Sequence, residues 1–223
     1  MVRLFGCALI FMSLLAELQA GELEVFIEDE NGNPVKDAVV VATALVGNST
    51  NTEASPAATG ASSKKRPMAT IAQIDKQFVP YVTAIRVGTA ISFPNKDDIL
   101  HNVYSFSKAK KFQLPLYKDE PPEPVVFDKP GVVILGCNIH DWTVAYVFVL
   151  ETPYFAKTDS SGRAKLKDLP LGEYSVQARH PRKRRRGSSP ALRILVGMEA
   201  TQRSQFVIAL KPEWRPQNAQ NAD

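Results

Sequence analysis

Helical periodicity is nearly absent from this chain, and short runs rich in Val, Ile, Phe and Tyr recur between turn residues. Such runs fall at Leu23 to Ile27, Val39 to Ala44, Ala90 to Phe93, Asn102 to Phe106, Gly131 to Leu135, Val144 to Leu150, Tyr174 to Ala178 and Phe206 to Leu210. Gly, Pro, Asn and Asp cluster between them. Runs of four to eight apolar residues bounded by turn signals read as strands, and many of them at close spacing argue for sandwiches or barrels. A hydrophobic content of 44% is ordinary for a packed chain. The fold class expected is therefore all-β.

The N-terminus reads as an export signal. Met1 to Arg3 is a short positive start, Leu4 to Leu15 is almost wholly apolar, and Leu18-Gln19-Ala20 precedes Gly21 in the manner of a small-residue cleavage site. Residues 1–20 are thus expected to be a cleaved signal peptide, with an uncleaved amphipathic anchor as the alternative. The apolar run is too short to span a bilayer. No later stretch is long and apolar enough for a membrane helix, so no transmembrane segment is expected.

Two further segments read as non-core: residues 48–67, small and polar, as a flexible linker, and 212–223 as a C-terminal tail. The formal net charge of +4 points to acidic partner surfaces or anionic lipid rather than nucleic acid. Arg182 to Arg186 form a basic run that reads either as a solvated loop or as a docking patch for an acidic redox partner.

The chain has two cysteines. Cys7 goes with the signal segment, which leaves Cys137 as a lone thiol in an exported protein, without a disulfide partner. Metal ligation protects such a thiol. Cys137 stands three residues before His140, between the apolar runs Val132 to Leu135 and Val144 to Leu150, and His101 opens another strand-like run. One Cys and two His can converge on these elements, and that donor set outlines a copper site. Taken singly, His101 would read as a core histidine and Cys137 as an inert buried thiol. His180, beside the basic run, reads as structural or solvent-facing.

Longer motifs carry a resemblance. GELEVFIEDENGNPVKDAVVVATA from Gly21 and AKTDSSGRAKLKDLPLGEYSVQA from Ala156 resemble the two halves of a carboxypeptidase regulatory-like domain, also called transthyretin-like or carbohydrate-binding-like. The halves normally lie close together; here Leu45 to Phe155 intervenes. Val87 to Phe93, Asn95, His101-Asn102-Val103, Pro130-Gly131-Val132 and Cys137-x-x-His140 resemble a cupredoxin of the amicyanin and plastocyanin type. The mature chain as a whole is similar to periplasmic proteins labelled methylamine utilization proteins, sharing Phe112 to Tyr117 and Gly136 to Asp141.

The resemblance implies a cupredoxin Greek-key β-sandwich over 68–151, inserted in or joined to a small transthyretin-like β-sandwich formed by 21–47 and 152–211. It implies a periplasmic location, with copper held by His101, Cys137 and His140. Asn102 would brace the ligand loop and donate a backbone hydrogen bond to sulfur. The chain departs from the pattern at Thr143, where amicyanin-type loops carry the axial Met; Thr is smaller and leaves room above the metal for an oxygen. The axial position is then empty, or filled by Gln73, a backbone carbonyl or water. As an isolated polar residue, Gln73 otherwise reads as a surface strand residue.

The function expected is electron transfer with an unidentified redox partner. No second metal cluster, nucleophile motif or paired carboxylate site points to an enzyme. The alternatives are a copper storage or delivery protein, and a carbohydrate-binding or interaction module with a degenerate copper site.

Overall fold

The computed structural model describes residues 20–45, 66–119, 121, 123–184, 191–197 and 201–212. The expected signal peptide up to residue 19, most of the linker, Arg185 and Arg186, and the tail beyond residue 212 lie outside the described residues. All regular elements among the described residues are strands, as the fold class expected from the sequence requires. In chain order they are β1 (Ala20–Asp29), β2 (Val39–Ala44), β3 (Met68–Thr70), β4 (Ala72–Ile74), β5 (Gln77–Val79), β6 (Val82–Arg86), β7 (Thr89–Ser92), β8 (His101–Ser107) and β9 (Lys110–Tyr117). They continue with β10 (Val125–Phe127), β11 (Gly131–Gly136), β12 (Val144–Leu150), β13 (Phe155–Lys157), β14 (Arg163–Pro170), β15 (Gly172–Arg179), β16 (Leu192–Val196) and β17 (Gln202–Ile208).

The first two strands pair with four of the last five across the long intervening stretch. β1 lies between β14, antiparallel, and β17, parallel. β2 lies between β13 and β15, both antiparallel, and β16 extends that sheet. The two sheets face each other over one core. Leu23, Val25 and Ile27 of β1, with Leu166, Leu169, Phe206 and Ile208, meet Val40, Ala42, Tyr174, Val176, Ala178 and Val196. The alternate burial of Leu23, Val25 and Ile27 follows the two-residue period of a strand with one face inward.

Residues 66 to 150 build a second sandwich. A five-stranded sheet in the order β6-β12-β11-β8-β9 stands against a smaller one, β10-β7-β3, and β4 and β5 pair as a hairpin. Ile91, Phe93, Val103, Phe127, Val133, Leu135, Ala145 and Val147 fill the space between them. The sandwiches stack through a third apolar cluster, in which Val39 and Val41 of β2 meet Val82, Phe148 and Leu150. β2 is therefore buried on both faces, which is why Val39-Val40-Val41-Ala42 reads as an unbroken apolar run instead of an alternation. The Lys157 ammonium fastens the same junction: Nζ lies 2.8 Å from an Asp37 carboxylate oxygen and donates to the Val82 carbonyl at 2.9 Å.

Candidate metal centre

Strand parity places the thiol. β11 buries Val133 and Leu135 and exposes Val132 and Ile134, so the next odd residue beyond the strand, Cys137, also turns inward and is 3% exposed. His101 opens β8, beside a register shift between His101 and Val103 that locally breaks the ladder with β9. Such irregularities re-aim side chains next to sites. His101 is fully buried. His140 sits in the loop between β11 and β12, where the Thr143 amide donates to its carbonyl at 3.0 Å and closes the turn.

The three sequence-predicted donors come together. The ligand atoms of His101, Cys137 and His140 all lie within 4.8 Å of one another. Cys137 Sγ is 3.7 Å from His101 Nδ1. With metal–sulfur and metal–nitrogen bonds of about 2.3 and 2.0 Å, as in zinc sites, that separation corresponds to an angle of about 120° at a shared ion. A pair at the 4.8 Å limit would have to draw in by about 1 Å. His140 Nδ1 is buried and has no hydrogen-bond partner; the only other such side-chain atom among the described residues is Thr83 Oγ1. An orphaned buried nitrogen is costly unless something binds it. Burial, followed by the neighbouring His101 and Lys76, depresses the His140 pKa and favours the neutral imidazole, the form that ligates a metal.

Around these donors lies a shell of fixed hydrogen bonds. Asn102 braces the ligand loop as the sequence predicts, but with its side chain: Oδ1 accepts from the Asn138 amide at 2.8 Å and lies 3.4 Å from Cys137 Sγ. The metal-free thiol donates to that oxygen, and the proton must leave when sulfur ligates. Gln73 is fully buried, which corrects its reading as a surface residue. A three-residue strand gives no periodicity from which its face could be read. Its Nε2 donates to the Asn102 carbonyl at 3.4 Å, and its Oε1 lies 3.4 Å from the Tyr117 hydroxyl, whose proton goes to the Phe93 carbonyl at 2.6 Å. Thr143 is buried, and its hydroxyl donates to the Lys76 carbonyl, so it ties down the β4–β5 turn.

Sequence reasoning passed over Asp97. Its carboxylate lies 2.7 Å from His101 Nε2 and accepts from the amides of Asp75 at 2.7 Å and Lys76 at 2.9 Å. Burial pushes this carboxyl up, but the Lys76 amide, the His101 ring and the Asp75 amide outweigh burial and hold it below the usual carboxylate value. The only signal was an Asp four residues before His101, in a loop where no period links the two.

No protein-family profile matches the chain, and no curated protein matches it. Similar solved structures include a cupredoxin, amicyanin and a copper-containing nitrite reductase. A purple cupredoxin from Nitrosopumilus maritimus is 26% identical over 37% of this chain and 99% of its own, with a TM-score of 0.33. A mutant of amicyanin in its Cu(I) form is 19% identical over 36% of this chain and 80% of its own, with a TM-score of 0.33. The Cu-containing nitrite reductase of Thermus scotoductus SA-01 is 25% identical over 44% of this chain, with a TM-score of 0.38, and the match spans 26% of the reductase.

Proposed function

We propose that the chain is an exported, periplasmic copper protein that carries electrons, with His101, Cys137 and His140 holding one copper ion. The observation that carries this reading is the convergence of one thiol and two imidazoles at a point where His140 Nδ1 has no other partner. A thiolate suits Cu(I) and imidazoles suit Cu(II), so a mixed set favours neither state outright and keeps rearrangement between them small. Copper would supply one-electron cycling, and the protein supplies the rest. Burial keeps water from the sulfur, the Asn102 brace fixes the loop that carries it, and the neutral His140 ring offers a lone pair.

Burial also favours electron transfer over storage or delivery. Cys137 and His140 are 3% and 9% exposed and His101 is closed off, a poor arrangement for handing metal to a chelator. On this reading residues 68–151 are the copper unit, carried between the two halves, 21–47 and 152–211, of a regulatory-like sandwich. The partner would be a redox protein with an acidic surface, docking near Arg182 to Arg186. No helix among the described residues is long and apolar enough to cross a membrane.

The test is reversibility. Purified protein loaded with one equivalent of Cu(II) should bleach on mild reduction, recover its colour on reoxidation through repeated cycles, and hold its copper against a weak chelator. Prompt loss to the chelator would support delivery, and failure to cycle would refute electron transfer.

A further inference from the structure

We propose that Asp97 is the positioning residue of the site, a single carboxylate that sets the His101 tautomer and anchors the β4–β5 turn to it; the inference rests on the copper reading. Both oxygens are committed. Oδ1 accepts from the Asp75 amide at 2.7 Å, and Oδ2 accepts from the Lys76 amide at 2.9 Å and contacts His101 Nε2 at 2.7 Å. A carboxylate has no proton to give, so the ring must donate from Nε2, and in the neutral ring that is its one proton. Nδ1 is then left with a bare lone pair, 3.7 Å from Cys137 Sγ. The ligand is in its binding form before a metal arrives.

Backbone strain points the same way. Asp75 and Lys76 have φ values of 51° and 59°, the left-handed region that non-glycine residues avoid. A two-residue hairpin turn demands that conformation, and such positions persist only where surroundings over-determine them. Asp97 takes both amides of this turn, while Thr143 holds the Lys76 carbonyl from the other side. Asp97 is itself aimed by Asn95, whose Oδ1 accepts from the Asp97 amide at 3.0 Å and whose Nδ2 donates to the carbonyls of Ile99 and Tyr117. Turn and ligand are therefore locked through one side chain.

The consequence for copper follows from donor strength. A hydrogen bond from Nε2–H to an anion makes Nδ1 more electron-rich, which favours Cu(II) over Cu(I). In Asp97→Asn the amide has one acceptor oxygen where the carboxylate has two, and its NH2 must face either a turn amide or the ring, donor against donor.

Two measurements test this. In the metal-free wild type, nitrogen chemical shifts of the His101 ring should show Nε2 protonated and Nδ1 bare. In Asp97→Asn the ring should become a mixture of tautomers. Cu(II) affinity of the variant should fall about 10- to 100-fold, as for other outer-shell partners. Cu(I) affinity should be held, so the midpoint potential should rise by about 60 to 120 mV, at 59 mV per tenfold for one electron. A wild-type ring protonated at Nδ1 would overturn the proposal, as would a variant whose two copper affinities match the wild type or fall equally. The metal-free measurement requires no copper, so failure of the copper reading and failure of this one are told apart.

Discussion

Thr143 ties the turn between β4 and β5 through its hydroxyl, and its replacement gives the sharpest energetic test. The side chain is 2% exposed and its hydroxyl donates to the Lys76 carbonyl. Thr143→Val keeps the shape but removes the donor that holds the partly buried Lys76 carbonyl, at about 1–3 kcal/mol. Thr143→Met loses the same bond and sets a longer side chain at a position only 2% exposed, a further cost of about 1–3 kcal/mol where the neighbours must shift. The Met variant should therefore be less stable by about 2–6 kcal/mol in total. That is a large part of a stability of about 5–15 kcal/mol. Guanidinium unfolding of the metal-free proteins at pH 7 measures both, and amide exchange at Asp75 and Lys76 should speed up in each. A Val variant within about 0.5 kcal/mol of wild type, joined to a Met variant as stable as wild type, would refute the clamp.

Three further outcomes are expected. Burial and Arg182 push the His180 pKa down to about 4, and His180 Nδ1 accepts from the Arg182 amide at 3.1 Å. The unfolded chain thus takes up a proton near pH 6.5 that the native state refuses until about pH 4. Stability from this group is complete above pH 6.5 and declines toward pH 4 by about 3 kcal/mol, and His180→Gln should flatten that slope in unfolding measured against pH. In Gly136→Ala the new Cβ would lie 2.6 Å from Tyr104 Cζ, so the ring must swing away; the Tyr104 ring resonances should shift, at a cost of about 1–3 kcal/mol. Phe148→Ala empties part of the apolar junction between the sandwiches and should cost about 3–5 kcal/mol in thermal or denaturant unfolding.

What could be read in the sequence is what periodicity encodes. The inward turn of Cys137 follows from counting by twos along Val133 and Leu135, and the unbroken run Val39 to Ala42 marks a strand covered on both faces. The convergence of Cys137 with two histidines was legible from residue types and spacing. Elements of three residues were not, because β3, β4, β5, β10 and β13 are shorter than any period can establish. Gln73 falls in one of them, and its burial depends on the Asn102 carbonyl and Tyr117, which come from distant strands. Asp97 and Thr143 act on backbone groups of the Asp75–Lys76 turn, and a contact with an amide or carbonyl leaves no mark in the partner's side chain. Ligands are named by their chemistry; the groups that hold them are named only by the fold.

The central claim, that Cys137 is a copper ligand together with His101 and His140, is tested most directly by adding Cu(II) to the wild-type protein and to Cys137→Ser. An intense visible band that saturates at one equivalent in the wild type and is absent in the variant is the predicted result, because an alkoxyl oxygen cannot supply sulfur-to-copper charge transfer. A band of equal strength in Cys137→Ser, or a wild type that stays colourless, would contradict it.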